Sequence, residues 1–157
     1  MKLNPRKEPQ QQRSAAMVSF ILDAAARVLN NGSLATFNTN AVAQAAGISI
    51  GSLYQYFPNK SALMVALIEK NQTIRVQALN ELVASNHFLS FERKVKSLAT
   101  FAVAQQYDSP RLAAALDYEE KHLPIDAKLR HFDNQLVKAI HQYLAPHKSQ
   151  MHTALTV

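Results

Sequence analysis

The 157-residue chain contains no cysteine and no tryptophan, and only three glycines. Without cysteine there is no disulfide framework, no thiolate zinc site and no cysteine nucleophile. Three glycines among many alanines and leucines argue against a β-rich fold and against a glycine-rich phosphate loop. No apolar run approaches the ~18 residues that a membrane-crossing helix requires. The stretch from Met1 to Arg13 is polar and basic with no apolar segment behind it, which is not the pattern of a signal peptide. Nucleophile elbows and zinc-ligand spacings are missing too. Glu119, Glu120 and His122 come nearest to a metal or acid–base group. Adjacent carboxylates on a helix point to different faces, however, and no His-x-x-x-His pair accompanies them. These absences leave a chain expected to be soluble, cytoplasmic and mostly helical, with no metal, no cofactor and no enzymatic signature.

What is present is apolar surface and positive charge. Apolar residues make up 48% of the chain, a globular composition, and 17 Lys+Arg against 11 Asp+Glu give a net charge of +6. Residues 1–70 hold 7 basic and 3 acidic side chains, whereas residues 71–157 hold 10 and 8. Lys2, Arg6, Lys7 and Arg13 form a basic arm kept extended by Pro5 and Pro9, and such an arm can neutralise phosphates.

Periodicity divides the rest into helices. Met17, Ile21, Ala24, Ala25, Val28 and Leu29 form one stripe, and Asn31-Gly32 is expected to supply a left-handed stop. Asn38 or Thr39 can cap a second helix with Ala41, Val42, Ala45 and Ala46 as its apolar side. Gly47-Ile48-Ser49 breaks it. A third helix follows from about Ile50 to Phe57, and Pro58-Asn59 stops it and caps a long fourth helix towards Ser85, with Leu63, Leu67, Ile74, Ala78, Leu79 and Leu82 in period. A fifth helix is expected over Phe91–Tyr107 behind Ser90. A sixth opens at Ser109-Pro110 and ends at Leu123-Pro124, and a seventh runs from Asp126 to Ala145. His147 to Val157 reads as the opening of an eighth.

Two short helices joined by three residues form the strongest local signal. Glycine at the first turn position permits positive φ, Ile48 can plug the space between the helices, and Ala43 and Ala46 allow close approach. This is helix-turn-helix spacing, in which the second helix enters the major groove of DNA. The stretch from Ala43 to Leu63, AQAAGISIGSLYQYFPNKSAL, strongly resembles the signature of the TetR family of bacterial transcriptional regulators, and the similarity extends over about Arg13 to Leu67.

The resemblance implies an all-α chain with a three-helix DNA-binding domain over residues 13–60, behind a basic arm at 1–12. A helical ligand-binding and dimerising domain then follows over residues 61–157. In the family that domain usually ends in two long helices, so this chain is expected to be incomplete at its C-terminus. The implied partners are a palindromic double-stranded operator, a small-molecule effector and a second copy of the chain.

Carried onto this sequence, the resemblance places Thr39 and Asn40 at a phosphate, and Ser49, Ile50, Gly51 and Ser52 at the DNA-facing end of the recognition helix. Tyr54 and Lys60 match phosphate-binding positions, with Gln55 and Tyr56 one turn along and Lys7 and Arg13 as minor-groove probes. Leu53 and Phe57 read as core. From Ser49 to Asn59 there is no Arg or Lys, so bidentate guanine readout is not available there. Ile50 can instead meet a thymine methyl, and Gly51 can let the backbone approach closely.

In the second half Phe88, Phe91, Phe101, Tyr107, Leu116, Tyr118 and Phe132 could line an apolar cavity with His122, His131 or Gln105 as polar orienters, or simply fill a core. A helical adaptor whose helix-turn-helix is only structural remains the alternative reading.

Overall fold

Short-range capping decides where the helices begin and end. The computed structural model describes residues 12–107 and 109–148. Among them seven α-helices follow one another: α1 (Gln12–Asn31), α2 (Thr39–Ala45), α3 (Ile50–Tyr56), α4 (Lys60–Ser85), α5 (Phe91–Tyr107), α6 (Pro110–His122) and α7 (Asp126–Leu144). A 3-10 turn, Ala145–His147, closes the series, and no strand occurs among the described residues. None of their helices is long and apolar enough to cross a membrane. The expected eighth helix lies mostly outside the described residues.

Asn38 is the cap of α2: its backbone is extended and its Oδ1 accepts from the Ala41 N–H at 2.9 Å. Ser49 caps α3 in the same way, accepting from the Ser52 N–H at 3.0 Å, and Asn59 caps α4 through the Ala62 N–H at 2.8 Å. Each satisfies one of the N–H groups that a helix start leaves over. Pro110 opens α6, where its missing N–H costs nothing.

One stop differs from expectation. The only positive φ among the described residues is at Gly47, +64°, so Gly32 does not end α1 in the left-handed region. Its role is steric. A Cβ there would lie 3.0 Å from both the Val28 carbonyl and Thr36 Oγ1, where Ser33 and Thr36 exchange five hydrogen bonds in a tight turn.

The contacts gather the chain into two units, one holding α1, α2, α3, α4 through Asn71, and α6, the other holding α4 from Gln72 onward, α5 and α7. In the first, Ile21, Leu22, Ala24, Ala25 and Leu29 of α1 are buried, with Phe37, Val42, Leu53 and Phe57. The opening turns of α4 bury Ala62, Leu63, Met64, Val65, Leu67 and Ile68. Consecutive burial on four adjacent positions means that this part of α4 is covered all round, a central helix rather than the one-sided stripe that its spacing suggests. α6 supplies Ala115 and Leu116 beside α1, and Lys70 of α4 ties back to α1 through Asp23 at 2.8 Å and Ser19 Oγ at 3.0 Å.

The second unit holds an unusual buried cation. Lys94 is 1% exposed. Its Nζ donates to the Tyr143 carbonyl at 2.9 Å and sits 4.7 Å from the Tyr143 ring centroid. That carbonyl belongs to the last turn of α7, where acceptors lack helical partners and the helix dipole favours a positive charge. Ser97 Oγ, 3.2 Å from the Tyr143 hydroxyl, completes the junction of α5 with α7.

Two stability measurements follow. Gly47→Ala places a Cβ in the left-handed region and is expected to lower unfolding free energy by about 1–2 kcal/mol. Lys94→Ala removes the stem and its hydrogen bond together and is expected to lower it by about 2–4 kcal/mol. Thermal and urea denaturation followed by circular dichroism reads both.

Candidate nucleic-acid interface

The α2–α3 connection is set by three backbone hydrogen bonds. The Ala46 N–H donates to Val42 O at 2.9 Å, the Gly47 N–H to Gln44 O at 3.0 Å, and the Ile48 N–H to Ala43 O at 3.0 Å. The last two are the paired bonds of a Schellman closure, which needs the left-handed residue that Gly47 provides. Arg27 of α1 adds a clamp by donating to the Ala45 carbonyl at 3.3 Å. α3 then starts at once behind Ser49, with Leu53 and Phe57 turned into the core.

The faces of α3 are therefore decided by its inward residues. Gly51 and Gln55 are exposed, while Ile50, Ser52 and Tyr56 are half-buried. Tyr54 is 38% exposed and its hydroxyl lies 3.2 Å from Thr39 Oγ1 at the start of α2. Thr39 and Tyr54 thus meet across the two helices, although fifteen positions separate the hydroxyl pair; Asn40, next to Thr39, is exposed. The Ser49 and Ser52 hydroxyls face each other at 2.8 Å, so the first turn of α3 carries a joined hydroxyl pair of its own. Hydroxyls and helix-start N–H groups are suited to phosphate oxygens and carry no sequence information.

Gly51 stands apart. A Cβ built there meets only Ser49 Oγ, at 3.7 Å, which is ordinary contact. Its φ is not in the left-handed region. Nothing inside the unit requires glycine at this position, yet in a helix glycine costs about 1 kcal/mol against alanine.

Lys60 is placed differently from the other phosphate candidates. It is half-buried, donates to the Leu34 carbonyl at 3.5 Å and lies 5.5 Å from the Phe37 ring centroid. Its charge is therefore engaged by its own unit. Arg13 belongs to the first turn of α1, and Lys7 lies outside the described residues. Arg27 is the position that sequence reasoning missed: its partner is 18 residues away, and no local pattern announces the clamp.

The second-half candidates are not brought to one place. Leu116, Tyr118 and His122 belong to the first unit, where Leu116 is buried and Tyr118 stacks on His122 at 4.0 Å. In the second unit Phe132 is buried beside His131, with ring centroids 3.8 Å apart, and Phe91 lies 5.9 Å from His147. Gln105 is half-buried, whereas Phe88 and Tyr107 are 99% and 78% exposed. Phe101 lines a groove of about 400 Å³ with Leu82, Arg93, Lys96, Thr100 and Ala104, which none of the other candidates joins. Among the described residues no three His, Asp or Glu side chains are grouped to hold a metal ion.

Comparison with known proteins agrees with the helix-turn-helix geometry. Residues 21–67 match the family described as bacterial regulatory proteins, tetR family. No curated protein matches the chain. Among solved structures, a TetR transcriptional regulator from Rhodococcus sp. RHA1 superposes with a TM-score of 0.60 at 21% identity, over 85% of this chain and 72% of that one. A TetR family transcription regulator from Marinobacter aquaeolei VT8 gives 0.64 at 21% identity, over 86% and 72%. Identity at that level speaks for the fold, and the matched segment speaks for the domain. Residues 21–67, which carry the helix-turn-helix, match the tetR family model, and the chain has a fold similar to that of the two solved TetR regulators.

Proposed function

We propose that the chain is a cytoplasmic transcriptional repressor that binds a near-palindromic operator as a homodimer and is released from it by a small-molecule effector. The observation that carries the DNA-binding part is the Gly47 closure, which presents α3 with its apolar side buried and Gly51 and Gln55 outward. The Thr39–Tyr54 hydroxyl pair beside it supplies phosphate contacts that fix the register of α3 on the duplex.

With no Arg or Lys from Ser49 to Asn59, base discrimination falls to the Ile50 side chain against a thymine methyl, to Gln55, and to the shape of the site. Lys7 and Arg13 are the minor-groove probes of this reading. In the dimer the two α3 helices meet successive major grooves, which sets half-sites ~34–36 Å apart or a multiple of that spacing. Effector and operator weaken each other's binding by linkage.

Fluorescence anisotropy with operator DNA, selected from random sequence, tests this reading. The logarithm of affinity is expected to fall linearly with the logarithm of salt. Lys7→Ala with Arg13→Ala is expected to reduce the slope by about 0.9 for each phosphate left without its cation. Tyr54→Phe removes a neutral donor, so affinity falls while the slope stays. Salt-independent binding, or none, points to the helical adaptor instead.

Gly51→Ala separates fold from function. It is expected to raise stability by about 0.5–1 kcal/mol and to lower operator affinity by about tenfold, the scale of one mismatched base pair. Denaturation and anisotropy on the same preparation check the opposite signs.

A further inference from the structure

The groove of the second unit has an uneven lining. Leu82 at the end of α4 and Phe101 and Ala104 on α5 make its apolar wall, and Arg93, Lys96 and Thr100 lie along the same helix. No carboxylate lines it. Arg93 and Lys96 are both exposed and, among the described residues, neither has an ion-pair partner. They are three positions apart on a helix, where like charges sit side by side and repel. Arg93 also falls in the first turn of α5, the end at which the helix dipole disfavours cations. Lys94, between them, is turned inward to the Tyr143 carbonyl and is not part of the groove. Two cations thus stand beside an apolar wall with no carboxylate in the groove to neutralise them.

We infer that this groove binds an amphipathic carboxylate, with its head held by Arg93 and Lys96 and its apolar body laid against Leu82, Phe101 and Ala104. Arg93 supplies the planar fork that matches a carboxylate, and Lys96 supplies a second charge. Thr100 can donate its hydroxyl to the same head. The volume of about 400 Å³ is in the range of small-molecule sites, about 300–1,000 Å³. The inference names the ligand class that the effector reading leaves open, and rests on that reading only for its regulatory consequence.

Three probes with one tail and different heads test it: octanoate, octan-1-ol and octylammonium, titrated calorimetrically into the full chain without DNA. Octanoate is expected to bind tightest and to weaken with salt. Arg93→Gln with Lys96→Gln, both at exposed positions, is expected to weaken octanoate by about tenfold or more, to the level of octan-1-ol. Ala104→Phe fills the wall and is expected to abolish binding of all three, with unchanged helical content by circular dichroism showing that the fold survives.

Equal binding of octan-1-ol or octylammonium overturns the inference, as does octanoate binding that neither variant alters, or no binding at all. Occupation of the groove by a second copy overturns it too: Ala104→Phe would then shift sedimentation to the monomer, and octanoate would fail to bind. Because the titration contains no DNA, a failure of operator binding leaves its outcome intact.

Discussion

The left-handed backbone at Gly47 is the constraint on which the presentation of α3 depends. α2 and α3 have seven residues each, well below the ~12–15 at which an isolated helix becomes even marginal in water. They exist because caps at Asn38 and Ser49 satisfy their starts, because Val42, Ala43 and Leu53 are buried, and because the Schellman bonds satisfy the end of α2. These contributions are cooperative through geometry. Once Gly47 reverses the chain, Leu53 has only one way to face, and with Leu53 inward the exposed side of α3 is no longer free to choose. Arg27, bonded to the Ala45 carbonyl, fastens the same turn to α1. The reading helix is thereby referenced to α1 by one polar contact and a shared core.

That geometry divides labour between the two sides of α3. Apolar burial of Leu53 and Phe57 supplies the stability, and the outer side is left with small and neutral groups. Such a surface forms few strong base contacts. Under the proposed DNA-binding reading, affinity comes from the phosphates, through hydroxyls that do not distinguish sequence, and selectivity from closeness of fit and from DNA deformability. A helix that works by fit has more to lose from an added methyl group than one that works through a long arginine. This gives the bare position at Gly51 its meaning, since the unit itself has room there.

What was legible in the sequence follows the range of the interactions. Caps at Asn38, Ser49 and Asn59, the proline at the start of α6 and the turn at Gly47 all act within four residues, and each is visible as a residue type at a fixed offset. Gly32 shows the limit of that reading, since glycine after a helix can mean a left-handed angle or lack of space, and only the neighbours at 3.0 Å decide. Lys60 shows it again. Its motif position suggests a phosphate, and nothing local announces the Leu34 carbonyl and Phe37 ring that also lie beside its charge, 26 and 23 positions away in the chain. Aromatic spacing in the second half was least informative, because a helical period shows that residues share a face without showing what covers it. Phe101 faces a groove, whereas Phe88 is almost fully exposed.

The basic run at the start of α5 shows how one composition yields different chemistries. Arg93, Lys94 and Lys96 are indistinguishable by charge. Lys94 points inward, where a helix C-terminus and an aromatic ring replace its hydration. The other two stay in water at the rim of an apolar wall. A ligand on that wall can influence DNA binding only by favouring one of two arrangements of the chain, however tightly it binds. The element shared by the DNA-binding and groove-bearing parts of the chain is α4. It is a single helix of 26 residues that carries Leu63 and Leu67 in the core of the first unit and Leu82 in the groove of the second. Affinity for the groove and the power to release DNA are separate properties, set by different residues.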